Sequence, residues 1–333
     1  MKISKDIGLN VRLIATTVFA TFITLSYSNS IAQSNDFPIK PIKSIVTYPA
    51  GGSSDLLARI MGKKLGDFLG QPIIIENKNG AAGAIGMDYA AHQAGDGYSF
   101  VTGNLGPALV NPLLSKLSYS MEKDFIPVSL IATGPNVLVV NANSPYQTLA
   151  SLIEAGKLNP EKINFGSSGP GSMSHLCAEM MMRQANVKFT HVPYKGGGLA
   201  VNDLLAGQID FLVSDALPVM QFLKAGKLRA LAVTSSSRFA SLPTVPTFTE
   251  AGTPGLVALN WWGFYLPGNT PSPIVSRYIA ALNVTMKDPE VKLQFANLGV
   301  DAVVTTPQEF KTFLVSETIK YSKLIKENNI KNE

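Results

Sequence analysis

The sequence predicts an α/β protein built as two lobes. Three observations carry that expectation. Strand-like and helix-like stretches alternate, as a βαβ fold requires. Two such α/β series follow one another. The chain then closes with helical stretches that need a sheet to pack on. Its 333 residues suffice for a large core, and chains of this length divide into about two domains.

Residues 43–48 read as the first strand, broken by Pro49-Ala50-Gly51-Gly52. Ser53 or Ser54 then caps a helix with Leu56, Leu57, Ile60, Met61, Leu65 and Phe68 at helical spacing, closed by Gly70 with Pro72 beyond. The three isoleucines 73–75 form a short buried strand. A helix over 84–94, a turn at 95–97 and a strand over 98–102 follow. A Gly-Pro break precedes a strand over 136–140. The second series has a helix over 149–156, a strand over 162–165, the loop 166–172 and a helix over 173–185. A strand over 187–192, a helix after Gly198, a strand over 209–213, a helix over 217–223 and a strand over 228–234 complete it. An aromatic strand covers 260–266, and 273–286, 290–298 and 307–327 are helical. Residues 37–135 with 261–333 are expected to form one lobe and 136–260 the other, with crossovers near 135 and 260. The paired Ala-Gly-Lys-Leu at 155–158 and 225–228 reads as two similar helix ends.

Charge narrows the function classes. Only 15% of residues are charged, and the net charge is +5. Residues 1–32 carry Lys2, Lys5 and Arg12 against Asp6, so +2 of that surplus lies in this segment. The remaining +3 shows no run of Lys or Arg, which argues against nucleic acid as a partner. Residues 1–32 read as a signal peptide: basic residues precede the uncharged stretch 13–25, and Ser30-Ile31-Ala32 suits cleavage before Gln33. The stretch is short and threonine-rich for a membrane span. The single cysteine, Cys177, lies far from that site, so no lipid anchor is expected there and no intramolecular disulfide can form. The protein is expected free in the periplasm.

Catalytic patterns fail. His92, His175 and His191 do not pair at metal-ligand spacing, and no metal or cofactor is expected. Gly166-Ser-Ser-Gly-Pro puts Pro170 where a nucleophile elbow needs glycine. Gly166 to Gly171 has the glycine spacing of a phosphate loop, but Ser172-Met173 replaces its Lys-Ser/Thr.

What remains is a set of strand-to-helix loops of Gly, Ser and Asn: 48–55, 103–106 and 166–174. Helix N-termini offer unpaired N–H groups and a positive dipole end, which attract carboxylates. Glycine lets backbone approach a ligand, and serine adds adaptable donors. Alternatively, Ser53, Ser54 and Ser172 are plain helix caps. Lys195, in His191-Val-Pro-Tyr-Lys-Gly-Gly-Gly, can pair with a ligand anion or be solvated. Asp215 can accept from a ligand hydroxyl or cap the next helix. Trp261-Trp262 suits core and hinge packing more than ligand stacking.

The chain resembles the Bug family, the solute-binding proteins of tripartite tricarboxylate transporters. The resemblance rests on Tyr-Pro-Ala-Gly-Gly-Ser-Ser-Asp (48–55), Leu-Gly-Gln-Pro-Ile-Ile-Ile-Glu-Asn (69–77) and Gly-Asp-Gly-Tyr (95–98). Lys-Asp-Phe-Ile-Pro-Val (123–128), Pro-Asn-Val-Leu-Val-Val (135–140), Ser-His-Leu (174–176) and His-Val-Pro-Tyr-Lys-Gly (191–196) add to it, as do 225–234 and 242–247. It implies a two-lobed periplasmic-binding-protein fold, type II-like, with a ligand cleft between the lobes. It implies a small organic carboxylate as ligand, and transporter membrane components as partners of a monomer. One carboxylate is expected on the N–H groups around Ala50, Gly51, Gly52 and Ser53, with Asp55 as the nearby acidic residue. On this basis Gly51→Val should cost most of the binding by blocking those groups, while leaving the fold intact. The expected site comprises Tyr48, Ala50, Gly51, Gly52, Ser53 and Asp55, then Asn104, then Ser167, Ser168, Gly171, Ser172, Ser174 and His175, and finally Tyr194, Lys195 and Asp215. The sequence departs from the family pattern at Pro170, which removes a backbone donor, at Ser-Asp-Ala (214–216) and at Asn79. The alternatives are a secreted serine hydrolase, with Ser172 or Ser174 as nucleophile and His175 or His191 as base, and a ligand-loaded partner of a sensor.

Overall fold

Alternating hydrophobic runs and glycine-rich turns lay down a mixed sheet flanked by helices. The computed structural model describes residues 37–254 and 256–327. The expected leader over 1–32, with its cleavage site, lies outside them.

Strand β1 (Ile42–Val46) runs between β2 (Ile73–Asn77) and β3 (Ser99–Asn104), parallel to both. Helix α1 (Ser53–Leu69) covers this part, burying Leu57, Met61 and Leu65, one every turn. Each such leucine contributes about 1.5–3 kcal/mol relative to an exposed one. Gly70 closes α1 at φ +76, as its sequence position suggests. The isoleucine strand β2 is the sheet's edge and not buried: Ile74 is 53% exposed. A 3-10 turn at Ala81–Gly83 leads into α2 (Ala84–Ala91). After β3 comes a π-helical segment (Gly106–Val110) continuing as α3 (Asn111–Leu114). Pro107 sits in the first turn, where its missing N–H has no partner to lose. Pro112 lies inside the continuous run and leaves a carbonyl of the preceding turn without a helical donor, and Tyr119 donates its hydroxyl to the Pro107 carbonyl.

Strand β4 (Phe125–Asn141) contradicts the expected Gly-Pro break: it runs through Gly134 and Pro135. Its partner changes there instead. Phe125 to Pro135 pairs antiparallel with β9 (Leu259–Pro267), while Asn136 to Val140 pairs with β7 (Phe211–Asp215). A proline can sit at this changeover because it has no N–H to give. Parallel strands β5 (Asn164–Ser167) and β6 (Thr190–Pro193) extend the sheet beyond β7, and β8 (Leu228–Val233) pairs with the end of β4.

Helices α4 (Leu149–Leu158), α5 (Met173–Ala185), α6 (Gly197–Leu205) and α7 (Ala216–Lys224) connect these strands. The two Ala-Gly-Lys-Leu stretches are not alike: the first is the last turn of α4, the second is the turn from α7 into β8. Helices α8 (Ser272–Lys287), α9 (Pro289–Asn297) and α10 (Pro307–Glu327) return to the β1–β3 side, and a two-residue strand, β10 (Asp301–Ala302), pairs with β4. Aromatic packing fixes the return. Phe100 stacks on Phe264 at 4.3 Å, and Trp261 meets Phe310 and Phe313 edge-on.

Candidate functional site

The partner change in β4 builds the site. Gly134 lies opposite Asn260, and Asn136 lies opposite Asp215. This register sets the head of β9 beside the end of β7. Asn260 Nδ2–H donates to Asp215 Oδ1 at 2.6 Å. Ser53 Oγ–H, in the first turn of α1, donates to Asp215 Oδ2 at 2.6 Å. Burial raises the Asp215 carboxyl above its ordinary range, and these two hydrogen bonds oppose the rise. Asp215 occupies the N-cap position of α7, but its side chain makes no capping bond. The capping role is therefore corrected: its oxygens are turned to Ser53 and Asn260.

Four helix N-termini open on this cleft. Gly52, Ser53 and Ser54 bring α1; Ser172, Met173 and Ser174 bring α5; Gly197 brings α6; Asp215 brings α7. Tyr48, Asn104, Ser168 and Asn260 complete the wall. None of these residues is Lys, Arg or His. First-turn N–H groups lack helical partners, and each N-terminus carries about half a positive charge. Asn104 Oδ1 is buried beside the cleft with no partner in the protein, and so is Ser214 Oγ.

A serine network shapes the α5 end. Ser172 caps α5, accepting from the His175 N–H. Ser172 and Ser174 hydroxyls pair at 2.9 Å, and the Ser168 N–H donates to Ser174 Oγ. Ser53 and Ser54 do not cap α1; Gly52 holds that position. Their hydroxyls reach across the fold, since Ser54 Oγ accepts from Trp262 Nε1–H at 3.1 Å. Both tryptophans are buried, and Trp261 Nε1–H donates to Glu317.

Several expected residues lie elsewhere. Asp55 Oδ2 accepts from the Gly51 N–H and Arg59 Nε, and Oδ1 from Arg59 Nη2 and Asn77 Nδ2, at 2.9–3.0 Å. Its lone pairs are filled, so Asp55 holds the loop and faces no cleft. Burial alone would raise its carboxyl, but the bonds from Arg59, Gly51 and Asn77 outweigh that and hold it below its ordinary range. The Gly51 N–H is thus engaged, and that of Gly52 donates to the Pro49 carbonyl. A side chain at Gly51 would meet no atom within 4 Å; its φ of +80 is what requires glycine. The obstruction expected of Gly51→Val is corrected accordingly. Ala50 and Gly51 line a neighbouring chamber. Tyr48 donates its hydroxyl to the Ala82 carbonyl while its ring flanks the cleft.

Ser167 Oγ pairs with His191 Nε2 at 2.7 Å and accepts from the Gly169 N–H, beneath the loop. His175 Nδ1 accepts from the Gly171 N–H, and its ring stacks on His191 at 4.4 Å. Neither imidazole bonds to the hydroxyl of Ser172 or Ser174 in the way the hydrolase alternative requires. Tyr194 donates to Asp203 at 2.7 Å, and Lys195 is exposed on the loop before α6. Asn260, Ser54, Met173 and Gly197 line the cleft but stand outside the expected site, although the last three lie in the loops that the sequence marks. Asn260 has no motif around it, and only the strand register brings it to the cleft.

The two sides of the cleft meet through glycines. A side-chain carbon at Gly196 would lie 2.7 Å from the Pro49 ring, and one at Gly171 would press on Asn111. Between these contacts the open space is only about 20 Å³, room for little more than one water molecule.

Comparison with known proteins shows the family and the fold. Residues 57–330 match the family described as the tripartite tricarboxylate transporter family receptor. BugT of Bordetella pertussis is 33% identical over 322 residues, 96% of this chain and 98% of BugT. The solved structure of the periplasmic binding protein BugD superposes with a TM-score of 0.86 at 30% identity, covering 89% of this chain and 100% of that one. MatC from Rhodopseudomonas palustris, solved with bound malate, gives a TM-score of 0.82 at 30% identity, over 87% of this chain and 100% of MatC.

Proposed function

The chain belongs to the tripartite tricarboxylate transporter receptor family, whose members are periplasmic binding proteins, and we propose that it captures a small organic carboxylate in this cleft. The observation that carries the proposal is the convergence of four helix N-termini on a wall without a cationic side chain. Such a wall attracts one anion through main-chain dipoles and serine hydroxyls. Free first-turn N–H groups of α1 and α5, with Ser53, Ser172 and Ser174, receive the carboxylate. Asn104 and Ser214 supply the unpaired polar atoms for its neighbouring groups. Asp55 and Arg59 act at one remove, by fixing the loop.

In this proposal the lobes are 37–135 with 261–333, and 136–260. They close about β4 and β9, whose partner change supports that division. Ligand binding shifts the population toward the closed form. No bond is made or broken, and the chain acts as a binding protein. The leader is removed near Ala32, and the loaded monomer delivers its ligand to the membrane components of a tripartite tricarboxylate-type transporter.

A thermal-shift screen with dicarboxylates, tricarboxylates, acidic amino acids and aromatic acids tests this. A ligand at a hundred times its Kd stabilises by about 2.7 kcal/mol. The proposal fails if no carboxylate raises the melting temperature while another solute class does.

A further inference from the structure

Beside the narrow polar cleft lies a chamber of about 510 Å³, within the size range of small-molecule sites. The two adjoin one another. Gly52 belongs to both walls, Gly197 of the cleft is followed by Gly198 of the chamber, and Asp215 by Leu217 two residues on. The chamber runs along α7 toward Lys224. That helix has 9 residues, and at about 1.5 Å per residue its length is roughly 13 Å.

The chamber wall differs in chemistry from the cleft. Leu56 faces it from α1, Leu199 from α6, Leu217, Pro218 and Phe222 from α7, and Leu298 from the end of α9. Leu199 is 48% exposed, an apolar side chain that the protein's own core does not use. Its polar side chains are Asn202, Gln221, Asn297 and the one cation, Lys224, which donates to the Asn297 carbonyl at the far end. The polar cleft, with about 20 Å³ of open space, has no room for a ligand body. The chamber is the adjoining open space for one.

We propose that this chamber is a subsite for an apolar body, so that the ligand is a carboxylate carrying one anionic head and an extended alkyl or aryl portion. The inference rests on the carboxylate reading of the cleft. A compact polyanion such as citrate would meet leucine, proline and phenylalanine along much of this wall, short of Lys224 at its far end, and unpaired charge against carbon is costly. An alkyl body gains from burial instead: each methylene removed from water tightens binding about fourfold.

Isothermal titration calorimetry on the leaderless full chain tests this with acetate, butyrate, hexanoate, octanoate and 3-phenylpropionate, beside malate and citrate. Affinity is expected to rise about fourfold per methylene up to hexanoate. The heat-capacity change should grow more negative along the series, and malate and citrate should bind more weakly than hexanoate. Leu199→Glu should cut the hexanoate-to-acetate affinity ratio by about tenfold or more, with a parallel melting curve reporting the fold. A flat alkyl series, with malate or citrate tighter, overturns the apolar subsite and leaves the carboxylate reading standing. An unchanged affinity ratio in Leu199→Glu also overturns it. If no acid of any length or charge binds, both fall together.

Discussion

Asp55→Ala should loosen the first loop and lower the melting temperature, by an amount that follows from four hydrogen bonds. The carboxylate is 2% exposed and accepts from the Gly51 N–H, from Asn77 and twice from Arg59. The Arg59 side chain is 52% exposed, so solvent screens that i,i+4 pair and its share is about 0–1 kcal/mol. The Gly51 and Asn77 bonds go to a charged acceptor, at about 1.5–3 kcal/mol each before the carboxylate's own desolvation is offset. The net loss is about 3 kcal/mol, which for a chain of this size lowers Tm by about 6 °C. The carboxyl is held below its ordinary range, so its contribution is present above that range and disappears as pH falls through the depressed value. Circular dichroism melts of wild type and variant should therefore differ at neutral pH and converge in acid. A variant that melts with wild type at neutral pH, or whose deficit persists undiminished in acid, refutes the anchoring role. Ligand affinity should fall as well, because Gly51 and Ser53 lose a fixed geometry.

Asp215→Asn should show the opposite pH trend. Burial raises that carboxyl, so its contribution is present below the ordinary carboxylate value and lost as pH rises through the folded one. The variant's Tm relative to wild type should climb from acid to neutral pH, and a constant offset in melts at both would refute this. Gly196→Ala places a carbon 2.7 Å from the Pro49 ring across the cleft; overpacking of that kind costs about 1–3 kcal/mol. Gly196 also sits at φ +155, which an alanine rarely adopts, so unliganded Tm should fall by a few degrees and ligand affinity measured by calorimetry should drop about tenfold; unchanged affinity would show that this contact does not govern closure. Trp262 donates to Ser54 on the cleft wall. Saturating ligand should shift tryptophan fluorescence, and Trp262→Phe should remove most of that response; a full response from the remaining Trp261 would refute the assignment.

Local chemistry was legible where neighbours in sequence decide the outcome. Helix α5 reads correctly to both ends because Ser172 caps its start and Asn186, at φ +50, turns the chain away at its finish. The Asp55–Arg59 pair lies one helical turn apart and is visible as spacing. Loops ending in Gly or Ser mark three of the four converging helices, while α7 follows β7 directly at Asp215. Long-range bonds were not legible. Ser53 and Ser54 have the composition of caps, yet their hydroxyls are taken by Asp215 and Trp262, 162 and 208 residues away. Tyr194 adjoins Lys195 in an apparent ligand loop, but Asp203 on α6 takes its hydroxyl. Gly134-Pro135 resembles a chain break in sequence and is instead where a strand exchanges partners. Asn260 enters the site through that exchange alone.

The charge on the cleft wall bears on how many anionic groups it can hold. Four helix N-termini at about half a charge each place roughly two positive equivalents around the cleft. Asp215, when ionised, subtracts one. About one remains, and no Lys, Arg or His stands on the wall to add to it. That balance suits a single carboxylate head and leaves a second or third without a partner at the same place. It also explains how a buried aspartate persists beside an anion site. Ser53 and Asn260 hold both its oxygens at 2.6 Å, and the surrounding dipoles favour its charged form, while burial opposes it. On the proposed reading, a carboxylate seated on Ser53 would compete with Asp215 for its hydroxyl, so that ligand capture and release of the Ser53–Asp215 bond would be one exchange. Specificity would then depend on what the head group carries into the chamber beside α7.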